Sequence, residues 1–229
     1  MRKKLKETTA LVRQYYQIQN HRIAFGNQIK ALKEAKVKSN PLQGYCDTLY
    51  AMEKDIANVL AVSLKKEEIW IEYLKKVKGI GPVLASGLIS LIDIKKARHI
   101  SSLWKYAGFD VVNGKAPRLQ RGQKTTWNPL MRTICWKVAK SFLMVKSPYA
   151  KFYEKRKKYE QKKHKDLTKM HIHNRALRFM IKRFLSDLWL EWRTLANLPI
   201  SAPYVIDKLG HAYSEKETLL KVKKKRNSH

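Results

Sequence analysis

Leu11, Tyr15, Ile18, Arg22, Phe25, Ile29 and Leu32 follow one another at alternating intervals of four and three, with only Arg22 breaking the apolar chemistry. That spacing sets all seven on one stripe of an α-helix, the arrangement two helices need to pack along their length. Ser39-Asn40-Pro41 ends the helix, because proline disfavours helical geometry in the residue before it. A second stripe follows with the same alternation: Tyr45, Leu49, Met52, Ile56, Val59 and Ser63. Two such helices joined by a short proline turn predict an antiparallel coiled-coil arm over residues 1–70. A lone hairpin leaves its outer apolar residues uncovered, so the arm is expected to join copies of the chain into a homo-oligomer through residues 11–63.

Charge constrains the remainder. The 229 residues hold 49 Lys+Arg against 18 Asp+Glu, a formal net charge of +31. With 44% hydrophobic residues the chain can still build a core, which excludes wholesale disorder. A surface this basic repels itself unless a polyanion neutralises it, and nucleic acid is the commonest such partner. No apolar run approaches the roughly 18–20 residues of a membrane span, and the basic N-terminus lacks the apolar stretch of a secretory leader. A cytoplasmic, nucleoid-associated protein without a membrane partner is expected. Cys46 and Cys135 stand far apart with no C-x-x-C pattern, which excludes a cysteine-based zinc module.

The distribution is uneven. Residues 45–78 carry 6 basic and 6 acidic side chains, whereas residues 111–146 carry 8 basic and none acidic. Solvated faces ordinarily mix signs to limit repulsion, so the acid-free stretch reads as a contact surface. Lysine-rich 147–170 is equally well explained as a solvated helix face.

Leu74-Lys75-Lys76-Val77-Lys78-Gly79-Ile80-Gly81-Pro82 followed by the apolar run 83–92 has the form of a helix-hairpin-helix. The glycines permit a tight turn, and Pro82 suits a first helical position. The turn and the start of the second helix then offer backbone N–H groups to a phosphate, a grip that reads no bases. Lys75, Lys76 and Lys78 beside Gly79, Ile80, Gly81 and Pro82 strengthen the nucleic-acid reading over an ordinary helical turn.

Residues 101–107 form a short helix ended by Gly108, and Asn113-Gly114 between Val112 and Lys115 signals a small β-hairpin. A basic loop through Arg118, Arg121 and Lys124 leads to Asn128-Pro129, a cap followed by proline, which opens a helix with Leu130, Ile134, Val138 and Phe142 on one stripe. Pro148 starts a lysine-rich helix and Thr168 caps a last long one, with Ile172, Ala176, Met180, Leu185, Leu188, Trp189 and Trp192 buried. Lys115, Arg118, Arg121, Lys124 and Arg132 are the candidate DNA-binding cations of this region.

Catalytic constellations are scarce. Two-metal chemistry needs several carboxylates in one pocket, and the acidic residues concentrate in the arm. His164, His171 and His173 lack supporting ligands, so no metal site is assigned. Ser86 and Ser90 lie on an apolar helix with no base at a telling spacing.

GIGPVLASGLISLIDI, SSLWKYAGFDVV and NGKAPRLQRGQK, followed by residues 149–158 and 173–193, resemble the C-terminal domain of the insertion-sequence 110/116/902 family transposases over roughly residues 70–195. The resemblance implies transposase-type handling of DNA, or of a guide RNA and its RNA–DNA hybrid. Members of that family also carry an N-terminal RuvC-like domain with a DEDD carboxylate set, for which the chain leaves no room ahead of the arm. They supply a serine from the loop after Tyr-Ala-Gly, and Asn113 stands there. An amide cannot form a covalent phosphoserine link.

A mainly α protein is therefore expected, with a coiled-coil arm at 1–70, a helix-hairpin-helix transposase-like domain with one small β-hairpin at 71–198, and a basic tail at 199–229. Sequence-tolerant DNA binding in transposition or recombination is its expected function, with no cofactor. Two alternatives stay open. One is an active recombinase subunit using Mg²⁺ and needing a partner for its carboxylates. The other is an RNA-binding ribonucleoprotein component that stacks bases on some of its six tryptophans and eleven tyrosines.

Overall fold

The computed structural model describes residues 2–37, 40–112 and 114–200. Among them the chain is helical: α1 (Arg2–Glu34), α2 (Asn40–Leu64), α3 (Glu68–Glu72), a 3₁₀ turn (Leu74–Lys76), α4 (Pro82–Leu91), α5 (Ile100–Tyr106), α6 (Pro129–Met144), α7 (Ala150–Lys163) and α8 (Lys169–Leu195). The 199–229 tail, apart from Pro199 and Ile200, lies outside the described residues.

α1 and α2 form the expected antiparallel pair, and the α1 stripe faces inward from Leu11 to Leu32. The α2 stripe keeps Leu49, Ile56 and Ser63, but its alternate positions are displaced by one residue. Tyr45, Met52 and Val59 are 62%, 46% and 55% exposed, while Cys46, Glu53 and Leu60 turn toward α1 instead. The cause is a polar pair inside the seam. Glu53 is buried, and its carboxylate accepts hydrogen bonds from Arg22 of α1 and, at 3.4 Å, from Gln19. Arg22 was the one break in the α1 pattern, and Glu53 answers it from the facing helix.

The base of the arm joins the main core. Val12, Leu60 and Leu64 are buried in the same cluster as Ala85, Leu88 and Ile89 of α4. α4 lies against α6 so closely that a β-carbon on Gly87 would meet Ile134 at 3.0 Å. α8 supplies the longest apolar stripe, from Ile172 through Trp189, and its end is pinned by Arg193, whose guanidinium donates to the carbonyls of Ile94, Ala97 and Pro199. Tyr149 stacks on Phe142 of α6 with ring centroids 4.9 Å apart, and both meet Phe184 of α8 edge to face.

Four helices end in one hydrogen-bond pattern, with the residue after the helix in the left-handed region. Lys36, Gly108, Lys146 and Asn197 have φ of 59°, 73°, 49° and 50°. In each case the next amide reaches back five residues, as Phe109 does to the Trp104 carbonyl at 2.8 Å. The side-chain caps at Asn128 and Thr168 are formed, each accepting from the amide three residues on. α7 begins at Ala150, two residues after Pro148.

The expected β-hairpin is reduced to one antiparallel bridge between Val112 and Lys115, closed by two backbone hydrogen bonds of 2.9 and 3.0 Å. No ladder continues it among the described residues, because the chain on one side is drawn back toward α8 and α6 and on the other runs into the proline at 117. Two residues bridged once do not make a strand pair.

Candidate nucleic-acid interface

The hairpin at 77–81 is built on an incomplete first helix, α3 followed by the 3₁₀ turn. Gly79 has φ of 102°, and a β-carbon there would meet the Phe142 ring at 3.0 Å and Val145 at 3.1 Å. Its carbonyl accepts 2.6 Å from Ser141 Oγ. Glycine is thus required at 79 for both conformation and packing. Gly81 differs: its φ of −91° suits any residue, and nothing stands within 4 Å of a β-carbon there. It caps α4 without a side-chain bond, with Pro82 at the first helical position. Ile80 is buried as the anchor of the turn. Lys75, Lys76 and Lys78 are exposed, and Lys76 pairs with Glu72 at 3.2 Å.

Tyr73 ties this hairpin to the core. Its hydroxyl lies 2.8 Å from that of Tyr149, which donates 2.9 Å to Asp187 on α8. Burial pushes both phenols above their ordinary range.

The basic loop leaves α5 at Gly108. Lys115, Arg118, Arg121 and Lys124 are exposed, and none of them forms an ion pair among the described residues. Asn113 lies outside those residues. Arg132 is less exposed than the four loop cations. It is half-buried, donates 3.0 Å to the Pro117 carbonyl and lies over the Trp127 ring at 5.1 Å, so it holds the loop. Two cations that the sequence pattern did not single out join it. Arg178 of α8 donates to the carbonyls of Phe109 and Asp110 at 3.2 and 2.9 Å, and Lys182 lies 3.9 Å over the Trp104 ring. Both sit on the core-facing side of α8, where the apolar stripe masked them.

Hairpin and loop occupy opposite ends of α6. Gly79 meets Ser141 and Phe142, while Pro117 meets Arg132. Nine residues at 1.5 Å rise separate these anchors by about 14 Å. Lys140 is exposed between them and Lys137 lies over Tyr16 of the arm.

Elsewhere the polar groups serve packing. Glu160 is fully buried on α7 and pairs with Arg156 and Arg175. His173 Nδ1 is 2.7 Å from the Tyr153 hydroxyl, and His164 faces Glu160. Ser86 is sealed inside the core. All six tryptophans are buried or half-buried, and Arg132 and Lys182 cover faces of two of them.

Residues 71–154 match the model of the transposase IS116/IS110/IS902 family, a stretch running from α3 into α7. No curated protein and no solved structure gives a significant match.

Proposed function

From a transposase-family domain at residues 71–154, we propose that the chain binds DNA by its phosphate backbone, with little regard to sequence, in a process of transposition or recombination. The observation that carries this reading is the 115–124 loop: four exposed cations with no carboxylate partner, on a stretch without a single acidic residue. By contrast, the cations packed between α7 and α8 are engaged by Glu160. The hairpin at Gly79, Ile80, Gly81 and Pro82, with Lys75, Lys76 and Lys78 around it, supplies a second phosphate contact at the far end of α6. Base stacking on tryptophan is less well supported, since all six are buried or half-buried. No described helix is long and apolar enough to cross a membrane.

Titrating a duplex oligonucleotide at several salt concentrations tests the reading. A protein neutralising about 6–10 phosphates loses on the order of 10³–10⁵ in affinity between 50 and 200 mM salt. Affinity insensitive to salt defeats the backbone model. Arg118→Ala with Arg121→Ala is expected to weaken unrelated sequences about equally; a sequence-selective loss would instead mean base readout.

Self-association through the arm belongs to the same proposal. Tyr45, Met52, Val59 and Val62 lie uncovered on one side of α2. The stripe Ala10, Gln14, Gln17, His21, Ala24, Gln28 and Ala31 runs beside the seam of α1 without a lysine or arginine. In antiparallel pairs these positions share a side, so two highly basic copies can meet there with little repulsion. Sedimentation of Met52→Lys with Val59→Lys should show dissociation; an unchanged mass rejects this interface.

A further inference from the structure

Arg132 of α6, Arg178 and Lys182 of α8, and Asp110 after α5 converge beneath the basic loop. The two guanidiniums hold the loop at both roots, Arg178 through the carbonyls of 109 and 110 and Arg132 through that of 117. That tethering leaves much unsatisfied. Arg178 Nη1 is buried with no hydrogen-bond partner, and so is Asp110 Oδ1. The Lys182 ammonium makes no hydrogen bond or ion pair among the described residues and rests on the Trp104 ring. Three cations thus face one carboxylate in a partly desolvated setting, where uncompensated charge is costly.

We propose that Arg132, Arg178 and Lys182 form a phosphate site at the root of the basic loop, occupied by a backbone phosphodiester of the nucleic acid that the loop holds. The proposal rests on the DNA-binding reading and adds a defined subsite to it. A singly charged diester suits the site better than a phosphate dianion, because the Asp110 carboxylate is close enough to oppose a second negative charge. A polymer also suits it better than a small anion, because Lys115 and Arg118 continue the positive charge along the same segment. Burial is the main cause that holds all three cations below their ordinary pKa range, and Arg178 adds to the effect on Lys182.

The test uses the full chain with Lys182→Gln and Arg178→Gln, each checked by thermal melting. Lys182→Gln removes a charge but no hydrogen bond, so a merely structural role leaves binding untouched. The expected result is a five- to tenfold weaker duplex affinity and a log K against log salt slope smaller by about one. In wild type, the NMR signal of the Lys182 ammonium methylene should shift on adding duplex, and only at far higher concentration on adding inorganic phosphate or a 5′-mononucleotide. If wild type binds duplex and Arg118→Ala with Arg121→Ala weakens it, while Lys182→Gln keeps affinity and slope, this site is refuted and the DNA reading stands. If no duplex binds, the DNA reading falls; a Lys182 signal that also ignores inorganic phosphate removes the site with it. A response tighter for free phosphate than for duplex overturns the diester assignment. Should either variant not fold, the wild-type NMR titration decides alone.

Discussion

The indole of Trp127 lies over Gly108, with its ring carbons 2.8 and 2.9 Å from where a β-carbon would stand. Gly108 also ends α5 at φ of 73°. Gly108→Ala therefore meets left-handed strain and a ring that cannot retreat, since Arg132 covers it. Chemical denaturation should show a loss of about 2–4 kcal/mol. A cost below about 1 kcal/mol would mean the ring moves freely.

Lys146 makes the opposite case. It ends α6 in the same left-handed conformation with φ of 49°, where glycine is the favoured residue. Lys146→Gly is expected to stabilise by about 0.5–1 kcal/mol in a urea melt. Destabilisation would mean that the lysine side chain contributes more than its backbone costs.

Arg22 and Glu53 pair inside the arm, with Glu53 only 4% exposed. Arg22→Ala leaves that carboxylate without its cation and should cost about 3 kcal/mol, whereas Arg22→Leu with Glu53→Leu should be near neutral or stabilising. The cooperative melt of both variants reads this directly. Equal losses in the single and double variants would contradict it.

Tyr73 and Tyr149 are held above the ordinary phenol range chiefly by burial, with Asp187 adding to it. The folded state therefore keeps its protons where the unfolded chain, with phenols near 10, has released them. Their contribution is complete below pH about 10 and is lost as pH rises beyond it. Tyr149→Phe should flatten that alkaline decline in melting temperature, besides costing about 1–3 kcal/mol at neutral pH through the broken chain to Asp187.

Lys182 has the reverse sign. Burial first, then Arg178 on its own helix, brings its ammonium down to about 8, against a partial pull upward from Asp110; from α5 it faces the Trp104 ring. Between pH about 8 and 10.4 the unfolded chain binds more protons, so stability from this group rises through that window. Lys182→Met should raise the melting temperature at pH 7 by the equivalent of about 1–2 kcal/mol, with the gain shrinking toward pH 10. A pH-independent difference would show that the lysine is not desolvated.

What the sequence made legible was mostly local. The caps at Asn128 and Thr168, the Gly79 turn and the α1 stripe depend on neighbours within a few positions, and each stands where the pattern put it. In α2 the pattern holds at Leu49 and Ile56 but is off by one residue at Met52, because Glu53 counts as a surface charge until Arg22, 31 positions away, is known to face it. Asn113-Gly114 signalled a hairpin, but a turn signal cannot show that the flanking chain is held elsewhere by Arg178 and Arg132. Those two cations and Lys182 gain their setting from contacts across as many as 78 positions, which no window of periodicity spans.

α6 gives the candidate contact zones a fixed gauge. Because one helix of 16 residues carries the Gly79 turn at one end and the loop anchor at the other, the two cannot approach each other without breaking it. Their spacing of about 14 Å corresponds to about four base-pair steps at 3.4 Å each. A nucleic acid shorter than that can engage one end or the other, and a longer one gains the second contact at high effective concentration. The protein would then select its ligand by length and stiffness where it does not select by sequence.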